Sequence, residues 1–104
     1  MLEEIAEQRD ALIALCHRYH VARLDIFGSA AHGTQFNPAN SDVDLLVSFA
    51  PTVRNDLVTF EAFREALESL LNRQVDLVER EAVERSRNFI RRRAILSGTE
   101  PIYG

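Results

Sequence analysis

The sequence predicts an α/β (α+β) domain, a small mixed β-sheet flanked by helices. Two β-like apolar runs, Val21 to Phe27 and Val43 to Phe49, are joined by a turn-rich stretch, and a third follows at Gln74 to Glu79. Stretches with apolar residues at three- and four-residue spacing lie before, between and after these runs, as amphipathic helices require. At 104 residues the chain is long enough for one core and too short for a second lobe, so residues 1–104 are expected to form a single domain.

From Leu2 to Tyr19 the apolar positions Leu2, Ile5, Ala6, Leu12, Ile13, Cys16 and Tyr19 recur at helical intervals. Glu3, Glu4, Glu7 and Asp10 load the first half with the negative charge that a helix N-terminus favours. One helix packing on the sheet is predicted, with Cys16, the only cysteine, as a buried thiol. His17 and His20 sit three apart with no third ligand near them in sequence and are read as helix-end residues. In the first strand Leu24 and Ile26 share one face, Asp25 and Phe27 the other, and Asp25 is expected to make a salt bridge or turn contact. Gly33 to Asn40 has turn chemistry and is expected to form a mobile rim over a bound nucleotide, with Phe36 pinning the loop in preference to stacking on a base. Val43 to Phe49 is apolar on both faces beyond its acids, so it should be a central strand covered by helices. Asn55 is expected to cap a helix whose stripe is Leu57, Phe60, Phe63, Leu67, Leu70 and Leu71. After the third strand, Arg80 to Ser97 is predicted as one helix stopped by Gly98, with Val83, Phe89, Ile90, Ile95 and Leu96 as its buried side. Arg91, Arg92 and Arg93 fall in its closing turns, where cations suit the dipole; a partner contact or a reach to phosphate is the other reading of this cluster.

The candidate chemistry lies between Leu24 and Phe49. Asp42 and Asp44 are two apart, so in an extended segment both carboxylates point the same way. Two like charges held together repel unless a cation sits between them, and hard divalent metals such as magnesium take carboxylate oxygens. Gly28-Ser29 follows the first strand, where a tight turn into a short helix through Ala30 and Ala31 would aim backbone donors at an anion. A phosphate cradle beside a carboxylate pair describes a site for a metal-bound triphosphate. Asp76 joins the carboxylate face if the third strand lies next to the second.

The net charge of −4 argues against a protein that grips long nucleic acid through its phosphates. All twelve basic residues are arginine, so phosphate contacts must come from arginine, backbone or metal. No apolar run is long enough to span a membrane, and the acidic MLEEIAEQRD start lacks a signal-peptide core, which predicts a cytoplasmic protein.

Gly28-Ser29, Gly33 and Ser41-Asp42-Val43-Asp44-Leu45-Leu46-Val47 resemble the signature of the polymerase-beta-type nucleotidyltransferases, most closely the minimal, MntA-like single-domain members. Val75-Asp76-Leu77-Val78 is similar to that family's third strand, and Ala94-Ile95-Leu96 through Ile102-Tyr103-Gly104 to the ending of its small members. The run from Ala30 to Ser41 is slightly longer than the family's usual spacing, and His32 stands where an arginine is common. The resemblance implies that Gly28, Ser29 and Ser41 bind the nucleotide, ATP or another NTP. It implies that Asp42 and Asp44 hold two Mg2+ ions, and that Asp76 binds the catalytic one and helps deprotonate the acceptor. It also implies an antitoxin, in a hetero-oligomer with an all-helical HEPN ribonuclease toxin, that attaches AMP to a toxin tyrosine. Two other functions remain open on the sequence, a nucleotide-binding antitoxin acting by contact alone and a nucleotidyltransferase for a small molecule.

Overall fold

A computed structural model of the chain describes residues 3–28 and 43–104. The elements run α1 (Glu3–Glu7), α2 (Arg9–Arg18), β1 (Val21–Phe27), β2 (Val43–Phe49), α3 (Leu57–Leu71), β3 (Val75–Glu79), α4 (Arg80–Glu84), α5 (Phe89–Ser97) and β4 (Glu100–Tyr103). The strands form one mixed sheet in the order β3-β2-β1-β4. β1 is antiparallel to both neighbours, whereas β2 and β3, joined through α3, are parallel.

Strand alternation sorts the side chains into two layers. Leu24, Ile26, Val43, Leu45, Val47, Phe49, Val75 and Leu77 face the main core, which Ile5, Leu12, Cys16, Phe63 and Leu67 close from α1, α2 and α3. Cys16 is fully buried there, and desolvation pushes its thiol up to about 12. On the opposite face Leu46 packs with Val83 and Ile95 of α4 and α5, flanked by Phe27, Val78 and Leu96. β2 is therefore central and covered on both faces, as its sequence implied.

Several boundaries differ from the sequence expectation. The first helix breaks at Gln8, where the run Glu7-Gln8-Arg9-Asp10 offers no apolar side chain to hold a straight helix on the core. The expected helix from Arg80 to Ser97 is two helices. Ser86 Oγ accepts from the Asn88 N–H at 3.2 Å, and Asn88 Oδ1 accepts from the Arg91 N–H at 3.1 Å, so short polar side chains capture the backbone and restart it. That break turns Phe89 and Ile90 outward, 69% and 85% exposed, against their expected burial. The cap of α3 is Asp56, not Asn55, with Asp56 Oδ1 accepting from the Val58 and Thr59 N–H groups at 3.0 and 3.3 Å. Asn55 instead takes a left-handed backbone (φ 71°), and Leu57, expected in the buried stripe, is exposed. β4, absent from the sequence-based elements, pairs with β1 and is tied down by Arg9, whose Nη2 donates to Pro101 O at 2.9 Å. His17 packs edge-on against Tyr103 at 5.3 Å.

Candidate active site

Three strands bring their site residues to one end of the sheet. Phe27 of β1 pairs with Asp44 of β2, and Asp44 pairs in parallel register with Asp76 of β3, about 4.8 Å away strand to strand. Because the pleat places every second residue on the same face, Phe27, Asp44 and Asp76 all lie on the face that α4 and α5 partly cover. Asp44 is half-buried and Asp76 exposed. The adjacency of β2 and β3 on which the alignment of Asp76 depended is thus present. Among the described residues no group of three His, Cys, Asp or Glu side chains gathers as a metal cluster. Asp42, Ser29 and Ser41 lie outside the described residues, as do His32, Phe36 and the expected short helix at Ala30 and Ala31.

Gly28 has a further role at this end. It turns the chain out of β1 with φ +73°, and a Cβ at this position would come within 2.5 Å of Asp44 Oδ2. Only glycine gives both the left-handed backbone and room for that carboxylate. Gly28 therefore borders the acid directly, a contact that the reading of Gly-Ser as a phosphate cradle does not contain.

Beneath the row lies a buried charged network. Asp25, fully buried, accepts from Arg80 Nη2 through Oδ2 and from Arg23 Nε through Oδ1 at 3.2 Å. A buried carboxylate is tolerated only when paired, and these two guanidinium groups satisfy both oxygens. The pair ties β1, three residues before Gly28, to the residue after β3, so it braces both flanks of the carboxylate row. Sequence alternation put Asp25 on this face; Arg80, at a strand-to-helix junction, carried no signal that it would be its partner. Nearby, Ser48 Oγ donates to Glu81 Oε2 at 2.5 Å and fastens α4 to β2. Behind Asp76, the Val75 N–H donates to Glu68 Oε2 at 3.0 Å, while Arg64 holds Glu68 Oε1 at 2.8 Å, so α3 fixes where β3 begins.

The donor set fits a hard divalent cation, with carboxylates from adjacent strands on one face, one of them open to solvent, and a turn glycine packed against the other. No helix among the described residues is long and apolar enough to cross a membrane.

Comparison with known proteins bears on the fold and the family. Residues 9–98 match the family model described as nucleotidyltransferase domain. A candidate protein adenylyltransferase of Methanocaldococcus jannaschii is 36% identical over 69 residues, 66% of this chain and 76% of the relative. A solved candidate minimal nucleotidyltransferase superposes with a TM-score of 0.74 at 31% identity, covering 95% of this chain and 93% of the other. A chain of a mutant MntA-HpeT toxin-antitoxin complex superposes with a TM-score of 0.64 at 26% identity, covering 91% of this chain and 71% of the other. With a family match running from α2 to the end of α5 and a sheet that aligns Asp44 with Asp76 beside Gly28, this chain belongs to the nucleotidyltransferase domain family.

Proposed function

We propose that this nucleotidyltransferase is an Mg2+-dependent protein adenylyltransferase that acts as an antitoxin, transferring AMP from ATP to a tyrosine of a helical HEPN-type ribonuclease toxin in the same cytoplasm. The observation that carries the reading is the in-register pair Asp44 and Asp76 beside Gly28, an arrangement suited to a metal-bound triphosphate on one side and an entering hydroxyl on the other. The protein acceptor is supported by the likeness to a candidate protein adenylyltransferase, and the antitoxin role by the likeness to a toxin-antitoxin chain.

In this mechanism Gly28, with Ser29 and Ser41, holds the nucleotide phosphates by backbone and hydroxyl donors. Asp42 and Asp44 would hold two divalent ions together, and Asp76 one of them. When bound, these ions neutralise charge on the attacking and leaving oxygens. Asp76, the exposed member of the row, takes the proton from the tyrosine hydroxyl. The phenolic oxygen bonds to the α-phosphorus as the bond to the bridging oxygen of the β-phosphate breaks, and pyrophosphate leaves with that electron pair. A docked partner positions the hydroxyl and excludes water from the open face.

Intact-mass spectrometry of a cognate HEPN-type partner after incubation with Mg-ATP tests the proposal. The expected result is a gain of one or more AMP masses on tyrosine, with loss of ribonuclease activity. A partner that is inhibited but unmodified would replace transfer by inhibition through contact, and a lack of complex formation would remove the antitoxin role.

A further inference from the structure

Between α4 and α5, on the same sheet face as Asp44 and Asp76, lies a cavity of about 120 Å³. Val78, Val83 and Ile95 form its apolar walls, and Ser86, Arg91 and Arg92 its polar rim. Val78 is the next residue after Asp76 on that face of β3, about 7 Å further along the strand, so the cavity adjoins the Asp76 side of the carboxylate row.

The surrounding segment inverts the charge of the molecule. Residues 80–93 contain six of the twelve arginines and two of the sixteen acids, a local net charge of +4 in a chain of net −4. Arg80 is occupied by Asp25, and Arg92 donates to Glu84 O at 3.3 Å while lying over the Phe89 ring at 4.8 Å. Arg85, Arg87, Arg91 and Arg93 make no salt bridge among the described residues. Phe89 and Ile90 stand exposed beside them.

We propose that this cavity and its arginine rim are the docking site for an acidic segment of the protein acceptor, which places the acceptor hydroxyl next to Asp76. The inference deepens the protein-adenylyltransferase reading and rests on it for the identity of the acceptor. Charge complementarity selects an anionic occupant, and guanidinium forks match carboxylates in bidentate geometry. The apolar walls and the exposed Phe89 and Ile90 favour a protein over a free phosphate, because a polypeptide removes that apolar surface from water while its acids meet the arginines. The acidic remainder of the molecule repels a nucleic-acid backbone extending beyond the patch.

The test is an NMR titration of the full chain with a capped Glu-Glu-Tyr-Glu-Glu peptide and with its Gln-Gln-Tyr-Gln-Gln counterpart, with adenylylation of each peptide by Mg-ATP followed separately by mass spectrometry. The glutamate peptide should shift the amide signals of Val83, Ser86, Arg91 and Ile95, and the glutamine peptide should not. Replacing Arg91→Gln and Arg92→Gln together should weaken binding about tenfold or more while the rest of the spectrum stays in place. Phe89→Ser should weaken it by a smaller factor. Equal response to both peptides, unchanged affinity in the double variant, or shifts confined to Gly28, Asp44 and Asp76 would overturn the docking site. Inorganic phosphate or a uridine oligonucleotide competing at the same signals more tightly than the glutamate peptide would assign the patch to phosphate or RNA instead. Peptide binding without adenylylation would keep the docking site and count against the transfer reading alone.

Discussion

Gly28 and Asp44 are in such close contact that either can be disturbed through the other. Gly28→Ala is expected to cost about 1–2 kcal/mol in urea unfolding from its left-handed backbone. It should also abolish the Mg2+-dependent part of ATP binding, because the new Cβ displaces the Asp44 carboxylate. Asp44→Asn should lose that same metal-dependent binding in calorimetry while the domain still unfolds cooperatively, since it removes a ligand and keeps the side chain's size. Asp76→Asn should keep most ATP affinity and lose about 100-fold or more of transfer, as expected for a group acting on the acceptor proton. Transfer at the normal rate in that variant would exclude Asp76 as the base. Strand alternation alone made the alignment of Asp44 and Asp76 legible, provided that β3 lay beside β2. The approach of Gly28 to Asp44 was not legible, because it depends on the pairing of Phe27 with Asp44 and on a backbone angle that no residue pattern specifies.

At the level of elements, the start of α3 rests on Asp56, whose carboxyl is held below its ordinary value of 3.8 first by the Thr59 hydroxyl, then by the Thr59 and Val58 N–H groups. A carboxylate with a lowered folded-state pKa adds stability above its unfolded value and loses it as pH falls through the folded one. The difference in melting temperature between wild type and Asp56→Ala should therefore be constant near neutral pH and shrink below 3.8. A difference that persists at pH 2 would show that the cap does not act through its charge. The helix itself was legible from its stripe, but its first turn was not. Asn55 and Asp56 are both good caps, and only the observed bonds to Val58 and Thr59 decide between them. The break between α4 and α5 was missed for a related reason. Ser86 and Asn88 compete locally with a helix that the apolar spacing of Val83, Phe89 and Ile90 would otherwise continue.

Across the whole molecule, the fold class and the central place of β2 followed from apolar runs and their length. β4 did not, since Glu100-Pro101-Ile102-Tyr103 is short, carries a proline and earns its place only by pairing with the β1 edge. The pairing of Phe27 with Asp44 has an engineering consequence. The stretch between them leaves and re-enters the sheet at neighbouring points of an antiparallel ladder, so its length is nearly uncoupled from the folding free energy; closure entropy changes by only about 0.6 kcal/mol for each doubling. Exchanging residues 29–41 for a short Gly/Asn turn should yield a domain that unfolds cooperatively with the wild-type circular dichroism and binds no nucleotide. Loss of cooperative unfolding would show that the segment belongs to the core. If the truncated domain folds, it retains α4, α5 and the arginine surface without the transfer chemistry. Scaffold and catalyst then become separable parts, and the scaffold alone is the reagent with which binding to a partner can be weighed against modification of it.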